Sequence, residues 1–153
     1  MLAMSADYSF VADAMKQAVP WVKTSGVEFP EVAGDRVVAE LPDAAETHNH
    51  VGGPHAAMIF GLGETASGAV AMAAFAPHMA KATPLVARSE IAYKKLALGV
   101  LRAEAVLGRP ADEVVAELDA GTRPEFPVNV TVTNAEGVTT AEMVVVWTLK
   151  PNR

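Results

Sequence analysis

Apolar residues recur along this chain with two different periods, and the change of period divides it. From Asp7 to Val19, the residues Phe10, Val11, Ala14, Met15 and Ala18 fall on one face of a helix that Pro20 stops. Ser25 to Phe29 reads as a strand, Ala33-Gly34-Asp35 as a turn, and Arg36 to Leu41 as the returning strand, ended by Pro42. Asp43 to Pro54 is polar and reads as a loop. His55 to about Phe75 is the longest helical stretch, roughly 30 Å from end to end. Gly61, Gly63, Gly68 and many alanines make this helix slim. Glycine in a helix interior costs about 1 kcal/mol relative to alanine, so the small residues predict close approach to a curved surface. A sheet wrapped around the helix is the natural candidate.

After Pro77 the period becomes two. Pro84 to Lys95 reads as a long strand, with Leu85, Ala87, Ile91 and Tyr93 on one side and Arg88, Glu90 and Lys94 on the other. Gly99 to Leu107 is a second. Ala111 to Ala120 reads as a helix with Pro110 at its start and Gly121 at its end, although DEVVAEL also alternates as a strand would. Phe126 to Thr133 and Val138 to Lys150 are the clearest strands, joined by a hairpin turn at Asn134 to Gly137. The order is helix, two strands, long helix, four strands. It predicts one α+β domain over residues 1–153, with a six-stranded antiparallel sheet covering the central helix.

Composition narrows the functional classes. A net charge of −6 with a pI near 5.1 gives no basic face for nucleic acid and no basic run for a membrane surface. With no cysteine there can be no disulfide, thiolate zinc site or cysteine nucleophile. MLAMSADYSF lacks the charged-then-apolar order of a signal peptide, and the uninterrupted apolar run from Thr65 to Ala76 is short for a bilayer span. The expectation is a soluble, cytoplasmic protein.

The chemistry concentrates between His48 and Gly68. Glu64 stands among Leu62, Gly63, Ala66 and Gly68 on an otherwise apolar helix. A carboxylate leaving water without a partner is costly, its pKa rises, and it becomes suited to general-base or nucleophilic work. The alternative is an ordinary ion pair, with Arg88 or Lys94 as partner. His48, His50 and His55 cluster just upstream. No carboxylate lies at ligand spacing, so loop and cap roles are preferred to a metal, and no metal or cofactor is expected. Gly52-Gly53-Pro54 allows close backbone approach and leads into a helix N-terminus, whose free amides favour developing negative charge.

The stretch NHVGGPHAAMIFGLGETASG, Asn49 to Gly68, resembles the signature of hotdog-fold acyl-CoA thioesterases of the PaaI-like, phenylacetic-acid-degradation type. Asn49, Gly52 and His55 match in spacing, and Glu64 stands nine positions after His55. The order of elements is also that of the hotdog fold, a long helix wrapped by an antiparallel sheet. The resemblance implies that Glu64 is the general base or nucleophile at a thioester and that Asn49 positions the attacking water or the substrate. It also implies that His55 supports the thioester carbonyl and that the amide of Ala56 forms the oxyanion hole. His50, Gly52, Gly53, Phe60 and Ser67 would contact substrate, and Lys94, Lys95 and Arg102 could meet the coenzyme A phosphates if they are not simply solvated strand charges. The family's site forms across a dimer interface, so the implied partners are acyl-CoA and a second copy of the chain, as a dimer or a dimer of dimers. Three departures stand out. His-Ala-Ala replaces His-Gly-Gly, the helix carboxylate is Glu rather than Asp, and the family's strand serine or threonine aligns with Val86, with Thr83 and Ser89 nearby.

Two other readings remain at this point. A hotdog hydratase or dehydratase would pair a His with a Glu about fourteen residues later, the spacing of His50 and Glu64, but would want Pro-Gly where this chain has His-Ala-Ala. A hotdog module that binds acyl-CoA or a protein without catalysis is the third.

Overall fold

The computed structural model describes residues 7–153; the first six residues of the segment read above for a leader lie outside them. The first helix, α1 (Phe10–Ala18), buries Val11 and Met15. Pro20 does stop it, but the same proline then opens α2 (Pro20–Ser25) from its first turn, where its missing N–H costs nothing. Gly26, with φ of 78°, ends α2 in the left-handed conformation. The first strand therefore starts later than Ser25. It is β1 (Glu28–Val32), an edge strand that tolerates Pro30. A tight turn leads to β2 (Arg36–Leu41), and the polar loop that follows holds a short 3-10 turn at Ala45–Thr47.

The long helix α3 spans Ala56–Phe75. Four elements follow: β3 (Ala82–Tyr93), β4 (Leu101–Leu107), α4 (Ala111–Asp119) and β5 (Glu125–Thr133), and β6 (Thr139–Pro151) completes the fold. The ambiguous 111–120 segment is thus a helix, burying Val114 and Leu118. The six strands form one antiparallel sheet in the order β1-β2-β4-β5-β6-β3. Alternate residues of β2, β4, β5 and β6 point at α3: Val37, Ala39 and Leu41; Leu101, Ala103 and Ala105; Phe126, Val128, Val130 and Val132; Met143, Val145, Trp147 and Leu149. Each strand is apolar on the helix side and largely charged or polar on the other, the pattern a sheet takes when one face meets a core.

The small residues of α3 behave as expected, with one refinement. A methyl group at Gly63 would lie 2.6 Å from Met143 Sδ on the sheet. At Gly61, however, the close neighbour is Trp21 of α2, 2.6 Å away, and at Gly68 it is the ring of Trp147, 3.3 Å away. The slim helix is therefore enclosed on more than one side. Ala56–His78 is long and apolar enough to cross a bilayer by length and composition, contrary to the shorter run considered above. Two-thirds of its most apolar window, however, is buried inside this fold, as in a core helix.

Candidate active site

Three local arrangements build the site. The first is the loop before α3. The Asn49 amide N–H donates to the Gly53 carbonyl at 2.7 Å, Gly52 N–H to Asn49 O at 3.2 Å, and His55 N–H to Thr47 O at 2.9 Å. The Asn49 side chain lies within this turn. Its Oδ1 accepts from the N–H groups of Val51 (3.0 Å) and Gly53 (3.2 Å), and its Nδ2 donates to Pro54 O at 3.4 Å. A carboxamide has two acceptor sites and two N–H donors, so one N–H remains for a ligand. Asn49 lines a cleft of about 410 Å³ with Ala56, Ile59, Tyr93, Lys94 and Lys95 among its walls. His48 Nε2 pairs with Asp43 Oδ1 at 2.6 Å, a structural role, while His50 is exposed at the tip of the turn.

The two glycines divide their work. Gly52 takes φ of 78° with open space around it, which supplies the left-handed turn. Gly53 is buried, and a methyl there would stand 2.2 Å from the Ala97 carbonyl oxygen. It was expected to let a ligand approach; what approaches it is the 94–100 connection.

The second arrangement is the start of α3. His55 is its N-cap, and Nδ1 accepts from the Ala57 N–H at 3.0 Å. This assigns the ring proton to Nε2, which faces outward and is free to donate. The N–H groups of Met58 and Ile59 both return to the His55 carbonyl. Among the described residues no acceptor lies within reach of the Ala56 N–H, so the first turn keeps one free amide. Ala56 and Ala57 are both exposed, so within the chain their methyl groups do not close off that amide. The Tyr93 hydroxyl donates to Ala56 O at 3.2 Å and ties the first turn to β3. The sequence pattern showed Tyr93 only as a member of a strand face.

The third arrangement surrounds Glu64. Its carboxylate is half-buried, and among the described residues it has neither an ion-pair nor a hydrogen-bond partner. The ion pair with Arg88 or Lys94 is not formed. Arg88 instead meets Glu125 at 2.9 Å, and Lys94 lies 3.9 Å from Glu142. Burial pushes the Glu64 carboxyl above the ordinary glutamate value, with desolvation as the cause. One turn before Glu64 on the same face is Phe60, partly buried. One turn after it are Ser67 and Gly68. The Ser67 hydroxyl donates to Glu64 O at 2.6 Å and accepts from Trp147 Nε1–H at 2.9 Å.

One expected substrate contact is corrected, and another lies apart from the cleft. Ser67 is fully buried with its hydroxyl engaged on both sides, so it holds Trp147 and cannot meet a ligand. Arg102 lies on the sheet face away from α3, because its neighbours Leu101 and Ala103 face inward; it pairs with Glu40 at 3.0 Å and does not line the cleft beside Asn49. Lys94 and Lys95, by contrast, do line the cleft beside Asn49 and Ala56. The strict alternation read for β3 also fails at one point. A bulge at Ala87, between the pairs Val86↔Trp147 and Arg88↔Val146, turns Leu85 outward and brings Val86 to the helix side, where Ser89 and Ile91 also lie. Ser89, opposite Val145, is the strand hydroxyl on the helix-facing side. Among the described residues no three His, Asp or Glu side chains converge on a metal position.

A long helix wrapped by an antiparallel sheet in this strand order is the hotdog fold. The chain belongs to the family described as a domain of unknown function (DUF4442), whose model matches residues 8–149. No functionally curated protein matches the sequence. Among solved structures it is similar to PA5026 from Pseudomonas aeruginosa, a protein of unknown function and probable thioesterase. That match has 22% identity, covers 97% of this chain and 99% of the other, and has a TM-score of 0.82. It is also similar to the Escherichia coli PaaI protein from the phenylacetic acid degradation operon, with 15% identity, 95% of both chains covered and a TM-score of 0.75. The thioesterase PA1618 from P. aeruginosa, solved as a variant, has 13% identity, 97% of both chains covered and a TM-score of 0.76. The PaaI-like hotdog fold expected from the Asn49–Gly68 stretch is thus the fold of this chain, and its structural neighbours include thioesterases.

Proposed function

We propose that this protein is an acyl-CoA thioesterase. The carrying observation is Glu64, a desolvated carboxylate with no partner among the described residues, on the helix where the fold's thioesterases act. Glu64 serves as general base. It takes a proton from water as the water oxygen attacks the thioester carbonyl carbon. The carbonyl electron pair moves onto oxygen, where a backbone N–H stabilises it. Collapse of the tetrahedral intermediate breaks the C–S bond, and the proton held by Glu64 passes to the departing coenzyme A thiolate. The products are the free acid and free coenzyme A.

One chain supplies only half of this arrangement. The Ala56 amide and Glu64 are eight residues apart on one straight helix, about 12 Å along its axis. A thioester carbon and its oxygen cannot touch both. A second copy resolves the difficulty by bringing the partner subunit's Ala56 and its loop against Glu64. The surface supports such pairing. β3 is a twelve-residue edge strand, paired only with β6 among the described residues, and Leu85, Val86 and Tyr93 on it are exposed. A long apolar edge invites another strand. Lys94 and Lys95 beside the loop suit the phosphates of coenzyme A.

The test is free-thiol release from a panel of acyl-CoAs. Wild type should hydrolyse some member of the panel and Glu64→Ala should not. If the two proteins are equally inactive on every chain length, the thioesterase reading fails.

A further inference from the structure

We propose that Trp147 closes the C-terminal end of the α3 face that Glu64 occupies and limits the protein to short acyl groups, an inference that rests on the thioesterase reading above. Phe60 and Gly68 stand four residues either side of Glu64 and share its face of α3. An acyl group held at the carboxylate would lie along that face. At its N-terminal end is the partly buried Phe60 ring. At its C-terminal end the space over Gly68 is filled by Trp147, whose Cζ2 and Cη2 would lie 3.3 and 3.4 Å from a methyl group at that position.

Three features hold the indole there. Its Nε1–H donates to Ser67 Oγ at 2.9 Å, and that hydroxyl is itself fixed by donating to the Glu64 carbonyl at 2.6 Å. Its backbone is central in the sheet, paired with Val86 on one side and Phe126 on the other. Met15 of α1 comes within 3.7 Å of the same position over Gly68. With 8% of its surface exposed, the ring is almost wholly enclosed by the fold. An acyl chain lying along α3 past Glu64 thus meets a wall after roughly one helical turn, about 5.4 Å. Gly68 is the complement of that wall, because a larger residue there would compete with the ring for the same space. The reach beyond Glu64 suits a few methylenes and excludes a long chain.

The experiment compares wild type, Trp147→Leu and Trp147→Phe on acetyl-, butyryl-, octanoyl- and palmitoyl-CoA. The phenyl variant keeps an aromatic core residue, lacks the N–H and falls short of Gly68, so it reports even where the leucine variant does not fold. Wild type should prefer acetyl- and butyryl-CoA. Trp147→Leu should raise kcat/KM for octanoyl- relative to butyryl-CoA by about ten-fold or more, the scale that methylene-sized pocket changes reach, and Trp147→Phe should shift it the same way by less. Wild-type hydrolysis of palmitoyl-CoA as fast as butyryl-CoA would overturn the proposal, and so would folded variants whose chain-length profile matches wild type. Calorimetric binding of the same acyl-CoAs to Glu64→Gln separates this idea from the enzymatic one. Length-limited binding, relaxed by adding either Trp147 substitution, with no turnover by wild type sinks the thioesterase reading and keeps the wall. Binding that ignores chain length sinks the wall, and absence of binding by every acyl-CoA sinks both.

Discussion

The free amide of Ala56 can be removed almost without touching the fold. Ala56 is the first residue of α3, where proline is well tolerated because that N–H has no helical partner. His55, which would precede the proline, already has φ of −59° and ψ of 145°, the extended conformation a pre-proline residue needs. Ala56→Pro should therefore leave Tm unchanged or slightly raised. If Ala56 is the oxyanion donor, kcat should fall by about 10²–10³-fold, the usual effect of losing such a group. Full activity with an intact Tm would remove Ala56 from the mechanism. Glu64 gives a second test through pH. Its carboxyl pKa is raised by burial, so between the ordinary glutamate value and the folded value the native state holds more protons than the unfolded chain. Stability must then fall as pH rises through that window. Glu64→Gln, which cannot ionise, should melt above wild type at neutral pH, with the difference vanishing once the pH falls below the ordinary glutamate value. Equal melting temperatures at neutral pH would mean that Glu64 is not desolvated. The positions of both on α3 were legible from the sequence, because spacing along a helix survives in the string of letters. The occupation of Ser67 by Trp147 was not, since it joins positions eighty residues apart.

At the scale of elements, the loop 48–54 and the 94–100 connection form one unit, and Gly53 is where they meet. Gly53→Ala would set a methyl group 2.2 Å from the Ala97 carbonyl oxygen, which is backbone and cannot swing aside. The expected cost is about 1–3 kcal/mol, the range for overpacking, with activity falling further as the Asn49 turn is displaced. Gly52→Ala meets open space and suffers only from its φ of 78°, about 1–2 kcal/mol. Thermal melts of the two variants, with Gly53→Ala the worse, check the division; the reverse order would refute it. The sequence marked this glycine pair as special but not which glycine did what, because the neighbour that decides it is forty-four positions away. Strand assignment shows the same limit. Alternation was sufficient to find β2, β4, β5 and β6. In β3 the single extra residue at Ala87 inverted the faces N-terminal to it. A bulge has no signature in hydropathy, so Leu85 was placed on the face of Ile91, from which the bulge turns it away. Pro20 was likewise recognised as a stop and missed as a start, since proline at a first helical turn reads equally as either.

For the whole molecule, the separation of Glu64 from the start of its own helix makes a prediction about assembly. If each site joins Glu64 of one subunit to the Ala56 amide of its partner, Glu64→Gln and Ala56→Pro lie in different halves of the same site. Each homodimer is then inactive at both sites. A mixed dimer concentrates both lesions in one site and leaves the other intact. Co-refolding the two inactive proteins in equal amounts, with random pairing, makes half of the dimers mixed, each with one working site of two. Activity should return to about a quarter of wild type, as expected for two-fold pairing of identical interfaces. If the site lay within one chain, no mixture could combine an intact Glu64 with an intact Ala56 amide, and activity would stay at the level of the separate variants. Sedimentation of the same mixture supplies the control. A dimer that recovers no activity would refute the shared site, and a monomer would refute the pairing through β3 on which it depends.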